Sequence, residues 1–139
     1  MANENKKLVH SVEVEVRWGD MDAFGHVNNS VFLTYFEQAR ISWWQSITPP
    51  DISFTDTGPV IINAYCVFLK AITYPETVNV KLWAGPPGRS SYENFYVISS
   101  QKEDSILYAE GSTKVVWVDR KLERSIPLPD YIKNHLPEN

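Results

Sequence analysis

A short segment early in the chain holds the side chains best suited to chemistry: Asp20, Asp22, His26, Asn28 and Asn29. An apolar pattern typical of a helix begins directly after them. The N-terminus of a helix presents unpaired N–H groups and a partial positive charge. A carboxylate placed just before a helix start is therefore suited to attack on a carbonyl compound. The acid would serve as base or nucleophile, and the helix N–H groups as the oxyanion site.

A strand before this segment and a helix after it must position its side chains. Residues 8–18 alternate between apolar and polar side chains, with Val12, Val14, Val16 and Trp18 on one face, which predicts a half-buried strand. Residues 19–27 contain two Gly and two Asp residues, which favour a loop.

A long apolar helix follows this loop. It is predicted to begin at about Asn29 or Ser30 and to end at about Ser46, with Asn28, Asn29 or Ser30 as its N-cap. Apolar residues cover most of its circumference, which is typical of a buried helix. Pro49 and Pro50 prevent the helix from continuing.

Four strand patterns and a short terminal helix complete the chain. The strands are predicted at 59–71, 76–84, 90–100 and 106–118, and the helix at 128–136. An antiparallel sheet needs one face covered, and the long helix is the only element able to cover it. The sequence therefore predicts an α+β fold in which a five-stranded antiparallel sheet wraps around one long apolar helix.

Length and composition indicate one globular unit. The chain has 139 residues, of which 43% are hydrophobic, and this fits one domain over 1–139 with residues 1–7 as a disordered tail. No apolar run is long enough for a membrane span, and the polar N-terminus predicts no secretory signal. Cytoplasmic localisation is expected.

Charge and cysteine content narrow the function classes further. The net charge of −4 argues against non-specific nucleic-acid binding, which needs a basic face. Cys66 lies in an apolar run and is interpreted as a small buried hydrophobe, with a nucleophile as the alternative. A thiol metal site is excluded by the single cysteine, and the three histidines lack ligand spacing.

Several segments resemble the hotdog-fold thioesterases, specifically the family similar to 4-hydroxybenzoyl-CoA thioesterase. The first is Arg17-Trp-Gly-Asp-Met-Asp22, followed by Gly25-His-Val-Asn-Asn29 and Tyr35-Phe-Glu-Gln-Ala-Arg40. Weaker matches follow in Gly88-Arg-Ser-Ser91, Ala109-Glu-Gly111, Val115-Val-Trp-Val-Asp119 and Ile126-Pro-Leu-Pro-Asp130. The resemblance covers residues 8–136. His26, Asn28 and Asn29 depart from the 4-hydroxybenzoyl branch itself, which favours a general acyl-CoA thioesterase.

The resemblance implies hydrolysis of a fatty-acyl or aromatic-acyl thioester of CoA or acyl-carrier protein, without metal or other cofactor. It implies that Asp22 is the catalytic carboxylate, as nucleophile or as general base, and that an N–H near Asn29 polarises the carbonyl. It also implies that two subunits join their sheets, with active sites at the interface of a homodimer or of a homotetramer built as a dimer of dimers.

Structural alternatives remain for each candidate in the segment. Asp22 could cap a turn, and Asp20 is expected to hold the loop by accepting hydrogen bonds from nearby N–H groups. His26 could orient water or assist as acid or base, since its ordinary pKa is near neutrality, or it could be a loop residue. Asn28 and Asn29 could cap the helix, contact the substrate, or do both.

Other charged residues are weaker candidates. Arg89, followed by Ser90 and Ser91, either is an exposed hairpin residue or contacts a phosphate of CoA, for which arginine offers a forked donor set. Weaker candidates for the same contact are Lys70, Arg120, Lys121 and Arg124. Glu37 and Arg40 are interpreted as a local or interface ion pair on the long helix.

Two further hypotheses compete with the thioesterase. One is a dehydratase or hydratase of the same fold, although the expected His-centred helix motif is absent from the sequence. The other is a non-catalytic acyl-CoA binding module, since a fold does not determine a function.

Overall fold

The computed structural model describes residues 5–138. Its elements, in chain order, are β1 (Lys7–Glu15), a 3₁₀ turn (Trp18–Asp20), α1 (Asn29–Ile47), β2 (Thr57–Phe68), β3 (Thr77–Ala84), β4 (Ser91–Ser100), β5 (Leu107–Asp119), β6 (Arg124–Ser125) and α2 (Asp130–Lys133). The helix and the four later strands each begin and end within about three residues of the predicted bounds. Neither helix in the described range is long and apolar enough to cross a bilayer.

The five long strands form one antiparallel sheet in the order β1-β3-β4-β5-β2. The predicted architecture, a five-stranded antiparallel sheet around one long helix, is confirmed. The two-residue strand β6 pairs with the end of β5 and was not predicted, because two residues are too few to show an alternating pattern.

Helix α1 lies against one face of the sheet and supplies much of the core. Phe36, Ala39 and Trp43 are fully buried on it. The Phe36 ring stacks on Tyr96 of β4, with ring centroids 4.3 Å apart. The prediction of a buried helix holds for this face, whereas Leu33 and Ile41, each 41% exposed, leave part of the apolar surface of α1 open.

Gly111 allows the close contact between α1 and the sheet. A Cβ atom at this position would lie 2.6 Å from Cε2 of Phe36 and would also overlap the carbonyl oxygen of Tyr65 on β2. Gly111 lies in the middle of β5, paired with Cys66 on one side and Tyr96 on the other. The Tyr65 carbonyl cannot move away without disturbing the pairing of β2 with β5.

We therefore expect Gly111→Ala to lower the free energy of unfolding by about 3 kcal/mol, at the upper end of the usual cost of overpacking. The matched control is Gly19→Ala, where an added Cβ atom would have no neighbour within 4 Å. Urea unfolding of both variants measures the difference. Equal stability of the two variants would contradict the proposed close contact.

Two predictions at the N-terminal side need correction. β1 ends at Glu15, and Trp18, predicted on the buried face of that strand, is 74% exposed. The physical reason is the 3₁₀ turn over Trp18–Asp20, which ends the alternation after the buried Val16. Of the predicted tail over 1–7, residues 1–4 lie outside the described residues, and Lys7 is already the first residue of β1.

The sheet has two edge strands, β1 and β2. β2 pairs only with β5, so its other side has open backbone groups over much of its 12 residues. Large apolar side chains along it are exposed: Ile61, Ile62, Tyr65 and Phe68. An exposed apolar edge of this kind is a surface suited to pairing with another strand.

Candidate active site

The loop between β1 and α1 is held by a buried carboxylate, Asp20, whose side chain is 3% exposed. It accepts a hydrogen bond of 2.9 Å from the backbone N–H of Arg17 and another of 2.9 Å from the Arg17 guanidinium. The hydroxyl of Tyr35 on α1 donates to it over 2.8 Å. The expected role of Asp20 in holding the loop is confirmed, with Tyr35 as a partner that the sequence did not indicate.

These contacts change the ionisation of both side chains. Burial raises the pKa of Asp20, but the hydrogen bonds from Arg17 and Tyr35 and the positive charge of Arg17 outweigh it and hold the pKa below its ordinary value. Burial, together with the Asp20 carboxylate, raises the pKa of the Tyr35 hydroxyl, which therefore stays protonated and continues to donate.

A lowered folded-state pKa makes the stabilisation by Asp20 dependent on pH. The stabilisation is complete above the unfolded-state value of 3.8 and is lost as the pH falls through the folded value below it. Asp20→Asn is expected to lower the free energy of unfolding at pH 7 by about 2 kcal/mol. It should also flatten the loss of stability below about pH 4.

Urea unfolding between pH 2.5 and pH 7 measures both effects. Asp104→Asn is the matched control, because Asp104 is exposed. A pH profile of Asp20→Asn that overlays the wild-type profile would contradict the stabilising role of the carboxylate.

Asp22 is half-buried and is fixed by the fold of its own loop. Its N–H donates to the carbonyl of His26 over 2.9 Å, and its Oδ1 accepts from the N–H of Phe24 over 2.9 Å. Gly25 completes this turn with φ of 81°, a backbone conformation that side chains disfavour. Among residues 5–138, the second carboxylate oxygen of Asp22 has no hydrogen-bond partner, which leaves it available for chemistry.

The start of α1 is capped by Asn28. Its side-chain oxygen accepts from the N–H of Ser30 over 2.9 Å, and its carbonyl accepts from the N–H of Val31 over 2.9 Å. The N–H of Asn28 itself donates to the carbonyl of Asp20 over 3.0 Å. Within the described residues the N–H of Asn29 has no partner, so one helix N–H group remains available at this end.

A groove of about 250 Å³ opens beside this N–H group. It is lined by His26, Val27, Asn29, Phe32, Phe68, Leu69, Lys70 and Ala71. Phe32 and Phe68 meet edge to face, with ring centroids 5.0 Å apart, and form an apolar wall. The groove therefore joins a polar end at the helix start to an apolar surface between α1 and the end of β2.

The predicted catalytic residues are thus brought into one region. His26 and Asn29 line the groove, Asn28 caps the helix, and Asp22 is hydrogen-bonded to the backbone of His26. Asp22 itself is not among the residues that line the groove.

The far wall of the groove was predicted as part of a site only at Lys70, a weak candidate for contact with a CoA phosphate. The wall consists of residues 68–71, which are the last residue of β2 and the three residues after it. The sequence contains no signal that these residues lie beside α1, because the facing of β2 against α1 depends on strand order and register, which one sequence does not reveal.

The predicted CoA-binding residues, Arg89, Ser90 and Ser91, lie elsewhere. Ser91 pairs with Val116, which pairs with Val60 near the start of β2, whereas the groove lies at the end of β2. At about 3.4 Å per residue, roughly 25–30 Å separates the two places within one chain. The structure therefore does not bring them together in a single subunit.

The remaining candidate chemistries find little support. Cys66 is half-buried, and burial raises the pKa of its thiol to about 11, so it stays a neutral thiol near pH 7. Over residues 5–138 there is no group of three or more His, Cys, Asp or Glu side chains that could hold a metal ion.

A family model described as the thioesterase-like superfamily matches residues 16–136. The chain belongs to this superfamily. Its hotdog fold and its class, a thioester hydrolase, are those expected from the sequence.

Individual proteins with similar chains agree with this membership. The PA2801 protein of Pseudomonas aeruginosa is 38% identical, with a TM-score of 0.86 over 92% of this chain and 98% of that one. A thioesterase from Thermus thermophilus, solved with coenzyme A and Zn, is 32% identical, with a TM-score of 0.78 over 93% and 92% of the two chains. The chloroplastic acyl-acyl carrier protein thioesterase ATL3 of Arabidopsis thaliana is 27% identical over 90% of this chain and 66% of its own.

Proposed function

We propose that this thioesterase-like protein hydrolyses a fatty-acyl or aromatic-acyl thioester of CoA to the free acid and CoA. The observation that carries the proposal is the unpaired N–H of Asn29 at the start of α1, beside the groove and next to a loop that fixes the Asp22 carboxylate. The site therefore combines a donor that can stabilise an oxyanion with a base or nucleophile, as acyl transfer requires.

The carbonyl oxygen of the thioester would accept a hydrogen bond from the Asn29 N–H. Negative charge grows on this oxygen during attack, and the positive end of α1 stabilises it. Asp22 either takes a proton from water, which attacks the carbonyl carbon, or attacks that carbon itself to form an anhydride that water then hydrolyses. Collapse of the tetrahedral intermediate expels the CoA thiolate. His26 and Asn28 would position the reacting groups.

The nature of the groove supports the choice of substrate. Its walls beyond the helix start are the aromatic side chains of Phe32 and Phe68, which suit an aliphatic or aromatic acyl group. The Thermus thermophilus relative was solved with coenzyme A, which supports CoA as the thiol part. The Arabidopsis relative is named an acyl-acyl carrier protein thioesterase, so an acyl-carrier protein thioester belongs in any substrate test.

A homodimer, or a tetramer built from two dimers, is part of the proposal. The open edge of β2 and its exposed apolar side chains would pair with β2 of a second copy and continue the sheet. The groove at the end of β2 would then lie at the interface. Sedimentation equilibrium would test this assembly, and a monomer at every concentration used would exclude it.

Such pairing would also give Arg89 a role. In an antiparallel two-fold pairing, the start of one β2 lies beside the end of the other. The second copy's Arg89, with Ser90 and Ser91, would approach the groove from which it is remote in its own chain, and would contact a phosphate of CoA.

Release of free thiol, followed with a thiol-reactive dye, tests the proposed function. Short, medium, long and aromatic acyl-CoAs would be compared with an acyl-carrier protein thioester. We expect turnover of at least one CoA ester. Among the esters, the rate of thiol release should depend on how well the acyl group fills the apolar groove. Release only from the carrier protein would replace CoA as the thiol part. Ligand-induced thermal stabilisation with no release from any ester would instead indicate a binding module.

A further inference from the structure

A positively charged side chain, that of Arg40, is buried between α1 and the sheet, and the predicted ion pair with Glu37 is present only as a distant contact. The side chain of Arg40 is 9% exposed. Its Nη1 donates to the hydroxyl of Tyr96 over 3.1 Å, but its Nε has no hydrogen-bond partner. The nearest carboxylate is that of Glu37, 3.9 Å from Nη2 and 61% exposed, too distant for a hydrogen bond. Such a charge is costly to bury without a closer anion.

Further polar groups surround this guanidinium. The hydroxyls of Tyr96 and Thr113 share a hydrogen bond of 2.6 Å. Asn94 is fully buried opposite Thr113 in the sheet; it donates to the carbonyl of Trp83 over 3.2 Å, and its Oδ1 has no partner. Arg40, Asn94, Tyr96 and Thr113 form what we call the inner polar cluster. Buried polar atoms are normally paired, so the unpaired donor Nε shows that this cluster compensates the charge of Arg40 only in part.

The cluster is reached through a groove of about 310 Å³ between α1 and β2. This inner groove is lined by Leu33, Thr34, Phe36, Glu37, Arg40, Ile61, Ala64 and Thr113. It lies between the same two elements as the groove beside Asn29. On α1, Arg40 lies eight residues after Phe32, and on β2, Ala64 lies four residues before Phe68.

We propose that the inner groove binds an acyl chain whose far end has a carboxylate, and that Arg40 selects this carboxylate. This inference rests on the proposed function, because it takes the thioester to lie at Asn29. The Arg40 guanidinium lines the inner groove, and its Nη2, which has only the distant Glu37 as partner, can donate to a carboxylate oxygen there. Along α1, Arg40 lies about 16 Å beyond Asn29, at about 1.5 Å per residue, which suits a medium-length chain.

The test compares dodecanoyl-CoA with dodecanedioyl-CoA, which differs only by a carboxylate at the far end. Wild type should show a higher kcat/KM for the dicarboxylic ester. Arg40→Met should lower that value about 10- to 100-fold, as expected for loss of a charged hydrogen bond, and leave the dodecanoyl ester much less affected. Arg40→Lys should retain part of the preference. The matched control is Lys102→Met, since Lys102 is exposed in the loop between β4 and β5.

A binding measurement makes the test independent of turnover. Calorimetry would compare the monomethyl ester of dodecanedioic acid, whose free carboxylate represents the far end, with the dimethyl ester. Tighter binding of the monomethyl ester, lost in Arg40→Met, supports the proposal even if no thioester is hydrolysed, in which case only the proposed function fails.

Two results would overturn the inference. One is equal binding and equal kcat/KM of the two ligands of each pair with wild type. The other is an equal loss for both ligands in Arg40→Met. Arg40 would then serve the packing of α1, or would be neutralised by Glu37 of a second copy.

Discussion

Replacing Asp22 with Asn should slow thiol release from a hydrolysed acyl-CoA by at least about 100-fold, the usual contribution of an acid or base group. The amide has nearly the same shape and can still accept the hydrogen bond from the N–H of Phe24, so the turn around Gly25 should persist. It cannot take a proton from water or attack the carbonyl carbon. The rate should therefore fall with little change in the melting temperature.

Steady-state kinetics of the variant, with Asp51→Asn as matched control, measure this effect. Asp51 is exposed in the loop after α1, outside the candidate site. Near-normal kcat in Asp22→Asn would show that Asp22 only shapes the turn, and the catalytic carboxylate would have to be sought elsewhere.

Replacing Asn29 with Pro should lower kcat by about 100- to 1,000-fold, as removal of an oxyanion donor does. Proline removes the backbone N–H but is favoured at the first position of a helix, which is where Asn29 lies. It also requires an extended residue before it, and Asn28 already has φ of −61° and ψ of 140°. The substitution therefore removes the donor and leaves the helix start intact.

The control is Asn29→Ala, which removes the side chain and keeps the N–H. We expect this variant to retain most of its activity if the backbone group is the donor. Circular dichroism would verify that both variants keep α1. Wild-type activity in both variants would exclude the Asn29 N–H as the oxyanion site, and an equal loss of activity in both would assign the role to the Asn29 side chain.

The sequence predicts most of this fold because its strong patterns are local. The apolar residues of α1 and the alternation in β3 and β4 indicate element type directly, and Asn28 was among the predicted caps. The prediction that Trp18 is buried on β1 was wrong, because the alternation of apolar and polar residues in the sequence extends into a 3₁₀ turn, where the strand has already ended.

The candidate site could be predicted only on one side. Asp22, His26, Asn28 and Asn29 are close in sequence, so a loop and a helix start necessarily bring them together. Their partners across the groove, such as Phe68, come from a strand whose neighbour in space is determined by sheet order. The same applies to Arg40, whose unpaired Nε becomes visible only when Tyr96 and Glu37 have been placed around it.

The position of Arg40 on α1 has a consequence for how such a protein could diverge. Asn29 and Arg40 are separated by about three full turns, so both lie on the same side of the helix. Inserting one residue between them would rotate Arg40 by about 100° around the helix axis, whereas inserting three or four would restore its direction and move it about one turn, or 5.4 Å, further away. Preference for chain length would then change in discrete steps set by the helical repeat, which the substrate profiles of such insertion variants can test.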